Sequence, residues 1–288
     1  MHITDFQKYI DSEKRFSIHT VTSYTTDLNQ FILFLSQEYN IDNITEVSFQ
    51  IVRSWISSLL EKGLTPRSVN RKISTLKTYF NFLLKKEVIS ESPMQKVISP
   101  KTSKRLPVYI EQDKMDALLN EEMFEATFEG ERDRMILALF YATGIRLSEL
   151  VNLKKKDVDS INNQIKVLGK RNKERIIPLS NNTIEFLVKF IEKNTVSQYL
   201  FTSFGGKQLY PKKVYRIVKK YISMISTKDK ISPHVLRHTF ATHMLNNGAD
   251  INAIKELLGH ANLSATQVYT HNTIDKLKNV YKQAHPRA

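Results

Sequence analysis

At 288 residues, with 43 Lys and Arg against 29 Asp and Glu, the chain carries a formal charge of +14, and 41% of its residues are hydrophobic. That length accommodates two ordinary cores, and the composition excludes disorder, collagen-like repeats and low complexity. The absence of cysteine excludes disulfides, thiolate metal sites, iron–sulfur clusters and a cysteine nucleophile. No apolar run is long enough to span a membrane, and the opening MHITDFQKYIDSEKRF does not read as a leader. The surplus of positive charge favours a polyanion such as nucleic acid as partner, and a soluble, cytoplasmic protein is the expectation.

In chain order, Val21, Tyr24, Leu28, Phe31 and Leu35 recur at steps of three and four, which predicts a helix from Ser17 to about Tyr39. A second helix is predicted around Ile51, Trp55, Ile56, Leu59 and Leu60, stopped at Gly63. Thr65-Pro66, a cap residue followed by proline, opens a third with Val69, Ile73, Leu76, Phe80 and Leu83 on its core face. On the opposite face Arg67, Arg71, Ser74, Thr78 and Lys85 form a stripe of phosphate-contacting types, against the plainer reading of an ordinary solvated face. Residues 1–88 are therefore expected to be an all-helical domain. Residues 89–107, with Pro93, Pro100 and Pro107, show no helical period and read as a basic linker.

Residues 108–288 mix element types. Helices are predicted at 133–142, ending at Gly144, then from Leu147 or Ser148, at 184–193 and at 211–226. Another opens at Ser232-Pro233, one runs from Asp250 to Leu258 before Gly259, and the last covers 274–284. NQIKVLGKRNKERIIPL, residues 163–179, reads as a hairpin around a basic turn, with Lys170 at its tip or first-strand end. The expected fold class is mainly α with two domains, the second an α+β domain with a small antiparallel sheet. Both parts are basic, with 15 basic against 10 acidic residues over 1–105 and 28 against 19 over 106–288, so together they could clamp a duplex.

Six of the eight histidines follow residue 230, alongside Arg237 and Tyr269. His234 and His238 could share a metal, but no third ligand or HExxH motif accompanies them. Glu129, Glu131 and Asp133, or Asp157 and Asp159, could suggest a two-metal nuclease; surface turn and helix-start acids are the simpler reading. Nucleotide-binding loops are absent, so no cofactor and no metal are expected. A phosphodiester can be attacked without metal if two guanidiniums hold its non-bridging oxygens, and Arg146 and Arg237 are the candidates. Lys170 suits protonation of the leaving oxygen and Tyr269 the nucleophile, with nearby cations and a histidine acceptor easing formation of phenolate.

The runs ATGIRLSEL, GKRNKERIIPL, SPHVLRHTFATHML and LLGHANLSATQVYTH and the ending HPRA, in this order, resemble the tyrosine recombinases, and within them the bacterial Xer type. TPRSVNRKISTLKTYFNFLL resembles their core-binding domain, so the likeness covers nearly the whole chain. The resemblance implies Arg146 and Arg237 as phosphate clamps, Lys170 as general acid to the 5′ oxygen and His234 as base or hydrogen-bonding group. It further implies His260 as a phosphate donor and Tyr269 as the nucleophile of a 3′-phosphotyrosyl link. Arg171 departs from the family's usual glycine and adds a cation beside Lys170; Arg171 and Lys173 join Arg67, Arg71 and Lys85 as expected DNA-contacting residues. His238 and His243 are expected to pack or hydrogen-bond. The implied partners are a specific duplex site, three further protomers of the same or a paralogous recombinase on two duplexes, and a DNA translocase, at the nucleoid. The helix at 274–284, with Ile274, Leu277, Val280 and Tyr281 as its apolar stripe, is expected to dock into a neighbouring protomer rather than fold back. A mobile-element integrase, a type IB topoisomerase and a DNA-binding relative without cleavage are the competing readings.

Overall fold

The computed structural model describes residues 1–102, 108–169, 174–194, 196–226, 231–259 and 271–287. The chain divides into two units, Met1–Arg105 and Leu106–Ala288.

Among its described residues the first unit has helices and no strand, the main ones being α1 (Ile3–Lys8), α2 (Ile18–Tyr39), α3 (Phe49–Glu61) and α4 (Pro66–Lys85). Each of the three long helices begins at a side-chain cap, with the hydroxyls of Ser17, Ser48 and Thr65 accepting from backbone N–H groups three residues on. Leu28, Phe31 and Leu35 of α2 meet Trp55 of α3 and Ile73, Leu76 and Phe80 of α4 in one core, in which the Phe31 and Trp55 rings lie 4.9 Å apart. Leu60, one of the residues that marked α3 in the sequence, is 40% exposed. Asp27 is fully buried between α2 and α4, where it accepts from Lys72 Nζ at 2.8 Å, Thr75 Oγ1 at 3.1 Å and Arg71 Nη1. The segment read as a linker does not run free over its described part. Met94 and Val97 are buried in the first core, and Asn70 Nδ2 donates to the Pro100 carbonyl at 2.9 Å.

The second unit is built on α6 (Phe128–Thr143), which from Met135 to Thr143 is almost wholly apolar and fully enclosed apart from the half-buried Ala138. Around it stand α5 (Gln112–Leu118), α7 (Leu147–Asn152), α8 (Asn181–Lys193), α9 (Pro211–Ile225), α10 (Pro233–Asn246), α11 (Ile251–Leu258) and α12 (His271–Ala284). The expected hairpin is part of a three-stranded antiparallel sheet in the order β1 (Val158–Asp159), β2 (Gln164–Leu168), β3 (Glu174–Pro178). Its register pairs Ile165 with Ile177 and Val167 with Arg175. Ser232 stands at the N-cap before Pro233, but its side chain makes no capping bond.

In this single chain α12 packs on its own unit. Leu277, Tyr281 and Ala284 enter the cluster of Phe240, Met244, Ile254 and Leu257. Beyond it His285 stacks on Tyr281 with ring centroids 4.9 Å apart, and its Nε2 lies 3.1 Å from the Tyr141 carbonyl oxygen. An isolated chain offers this apolar stripe only its own groove, and burial there removes the stripe from water as effectively as a neighbour's groove would.

Candidate active site

The chain leaves α6 through Gly144, whose φ of 57° lies in the left-handed region. A Cβ at Gly144 would fall 2.6 Å from Leu258 Cδ2 and 2.7 Å from Phe240 Cδ1, so only glycine fits this turn. Two residues later Arg146 sits at the N-cap of α7, where its backbone N–H donates to Glu149 Oε2 at 2.8 Å, the reciprocal half of a capping box. The Arg146 side chain, 31% exposed, donates from Nη1 to Glu149 Oε1 and from Nη2 to the Gly259 carbonyl, both at 2.8 Å.

Arg237 enters from the second turn of α10 and is buried. It donates from Nη1 to the Gly144 carbonyl at 2.5 Å and from Nη2 to the Leu258 carbonyl at 2.6 Å. Burial first, then the positive charges of Arg146 and Arg175, push its pKa down to about 9, which leaves it a cation at neutral pH. A third guanidinium, Arg175 of β3, donates from Nε to the Leu257 carbonyl at 2.9 Å. Three consecutive carbonyls at the carboxy end of α11, those of Leu257, Leu258 and Gly259, thus each accept from a different arginine. The partial negative charge at a helix carboxy end favours this gathering of cations.

Glu149 is the carboxylate that balances them. Burial would raise its pKa, but the hydrogen bonds and charge of Arg175, then of Arg146, bring it down to about 2. Neither Glu149 nor Arg175 was singled out as a site residue in the sequence. Their signal was the strand alternation that places Arg175 on the same inward face as Ile177, where a charge requires a partner.

Of the other expected site residues, His234 is exposed in the first turn of α10, three residues before Arg237 on the same side of the helix. Lys170, Arg171, Lys173, His260 and Tyr269 lie outside the described residues. In the first unit Arg67 and Arg71 are exposed on α4, Arg71 tethered by Asp27, while Lys85 pairs with Glu13 at 2.9 Å. Among the alternative metal ligands, Glu131 pairs with Lys193 and Asp133 with Arg132, while Asp157 and Asp159 accept hydrogen bonds within their own turns. His243 lies 2.8 Å from the Tyr141 hydroxyl, and His238 Nε2 lies 3.5 Å from Thr242 Oγ1.

A second basic stripe escaped the sequence reading. On α9, Lys212, Lys213, Arg216, Lys219 and Lys220 are all exposed, opposite the buried Val214, Ile217, Val218 and Tyr221. None of the five forms an ion pair with a described acid. A helix face of this kind meets a phosphate backbone without having to break an internal pair. No helix among the described residues is long and apolar enough to cross a membrane.

Known proteins resemble both units of the chain. The phage integrase family matches residues 109–276, and the N-terminal SAM-like domain of phage integrases matches residues 3–87. Tyrosine recombinase XerC of Chlorobaculum parvum is 36% identical over 316 aligned positions that cover 98% of this chain and 94% of the relative. Tyrosine recombinase XerD of Staphylococcus haemolyticus is 36% identical over 293 positions, with 99% of each chain covered. The XerH site-specific recombinase, solved bound to a palindromic difH substrate as a post-cleavage complex, shares the fold with a TM-score of 0.75. That match covers 99% of this chain and 82% of the XerH chain at 20% identity. With both units matched and relatives aligned over nearly their whole length, the chain belongs to the phage integrase family and is an Xer-like site-specific tyrosine recombinase.

Proposed function

We propose that the protein cleaves and rejoins duplex DNA at a specific site, with Arg146 and Arg237 gripping the scissile phosphate and Tyr269 as nucleophile. One observation carries the reading: the two guanidiniums reach neighbouring carbonyls, Leu258 and Gly259, and so stand side by side immediately before His260 in the chain. Attack at phosphorus adds negative charge to the non-bridging oxygens, and two fixed cations in a partly buried site stabilise that charge without reorganising.

In the proposed step the Tyr269 oxygen bonds to phosphorus as the bond from phosphorus to the 5′ oxygen breaks. The phenolic proton passes to His234, and the departing 5′ oxygen takes a proton from Lys170, while His260 donates a hydrogen bond to the phosphate. Attack by a 5′ hydroxyl from the partner duplex reverses each transfer and releases Tyr269, so the phosphotyrosyl link conserves the energy of the broken bond. The first unit acts as the core-binding domain. Arg67, Arg71 and Lys85, with Arg171, Lys173 and the α9 stripe in the second, hold phosphates along the duplex, and such contacts position a protein without naming bases. Relatives named XerC and XerD support resolution of chromosome or plasmid dimers as the role. The working form we propose is a tetramer on two duplexes with α12 exchanged between protomers.

A duplex nicked near the cleavage point traps the covalent state. The wild type is expected to form an SDS-resistant adduct in EDTA, and Tyr269→Phe is expected to bind the duplex without forming it. An undiminished adduct in Tyr269→Phe overturns the assignment.

A further inference from the structure

The two clamp arginines do not stand on their own. Arg175 faces the core of the second unit from β3, opposite Val167, and its side chain is 4% exposed, closed to any substrate. It spends its donors on two targets. Nη1 and Nη2 grip Glu149 Oε1 and Oε2 at 2.7 and 2.9 Å, a two-point guanidinium–carboxylate pair, and Nε holds the Leu257 carbonyl at 2.9 Å. Gly259 is fitted to this arrangement. Its φ is +66°, and a Cβ there would approach Arg175 Cδ to 3.0 Å and Nη1 to 3.2 Å.

We propose that Arg175 is a positioning residue for strand cleavage, which occupies Glu149 and pins the end of α11 so that Arg146 and Arg237 face one phosphate. The proposal rests on the clamp reading above. Its physical basis is competition for Arg146. With Arg175 in place, the Arg146 side chain touches Glu149 through Nη1 alone and stays partly open to solvent. Without Arg175, the buried carboxylate is left with Arg146 as its only guanidinium partner, and two-point pairing would draw Arg146 inward, away from an incoming phosphate. The Leu257 carbonyl would also lose its donor, loosening the turn from which His260 follows. Lysine can substitute only in part, because a single ammonium supplies the charge that Glu149 needs but cannot bond both carboxylate oxygens and the carbonyl in the planar arrangement a guanidinium provides.

The test is single-turnover cleavage of a nicked duplex, with duplex affinity measured in parallel. Arg175→Gln is expected to slow cleavage about 100-fold, the size of effect that small misplacement of catalytic groups produces, with affinity unchanged within error. Arg175→Lys is expected to recover part of the rate. Adding Glu149→Gln to Arg175→Gln is expected to raise the rate again, because nothing then draws Arg146 inward, whereas a purely structural loss would deepen. If Arg175→Gln does not fold, Arg175→Lys carries the test: a folded Arg175→Lys cleaving at the wild-type rate overturns the proposal. So does a loss of affinity in proportion to the loss of rate, or a double variant slower than Arg175→Gln. A wild-type protein that forms no adduct contradicts the clamp reading itself and is thereby told apart from failure of the positioning role.

Discussion

Replacing Glu149 by glutamine removes the carboxylate that two guanidiniums bind and whose charge Arg237 also feels. In the folded protein its pKa falls from 4.5 to about 2, a shift of about 2.5 units that corresponds to ~3 kcal/mol of stability at neutral pH. Because folding lowers this pKa, the contribution is complete above the unfolded value and fades as pH falls towards 2. Glu149→Gln is therefore expected to cost about 3 kcal/mol at pH 7, in line with removal of one partner from a buried pair. The difference from wild type should narrow by about 2 kcal/mol by pH 3. Urea unfolding followed by circular dichroism measures both, with a midpoint shift of about 1–3 M expected at pH 7. A gap that stays constant from pH 7 to pH 3, or is negligible at pH 7, would refute the reasoning.

Gly144→Ala forces a side chain into a left-handed turn against Leu258 and Phe240; it should cost about 2–4 kcal/mol, and a thermal midpoint equal to wild type would contradict that. Arg216→Ala with Lys219→Ala should flatten the dependence of duplex affinity on salt by about two phosphate contacts, close to 0.9 of a unit each; an unchanged slope would return the α9 stripe to an ordinary solvated face. Arg67→Ala should flatten the slope by about one contact, whereas Arg71→Ala should in addition destabilise the first unit by stripping a partner from buried Asp27. Burial holds the His285 pKa down to about 4 from 6.5, so docking of the carboxy-terminal helix is strongest above pH 6.5 and loses up to about 3 kcal/mol towards pH 4. Hydrogen exchange in α12 should accelerate over that range in wild type and much less in His285→Asn, and equal acceleration in both would exclude His285 as the cause.

The helices were legible because local chemistry marks their ends: Ser17, Thr65 and Asp250 cap, Pro66 and Pro233 open, Gly144 and Gly259 stop. Arg146 and Arg237, which the structure brings to neighbouring carbonyls, could be paired from the sequence because cleavage at phosphorus calls for two guanidiniums. Arg175 was not, because in the run KRNKER it reads as one more cation of a solvated turn, and only the alternation with Ile177 shows that it points inward. Asp27 was missed for a related reason: an acid on an amphipathic helix looks solvated until Lys72 and Thr75, far along the chain, close over it. The linker reading followed composition, which cannot register the anchoring of Met94 and Val97. The docking of α12 depends on which groove is offered, and sequence alone shows only that it has an apolar stripe.

A covalent bond between one phenol and DNA underlies every step of the proposed reaction. Trapping the protein on a nicked duplex, digesting the adduct and locating the nucleotide by mass spectrometry tests it most directly. A 3′-phosphoryl nucleotide on Tyr269 is the expected result; the same mass on any other side chain would contradict it.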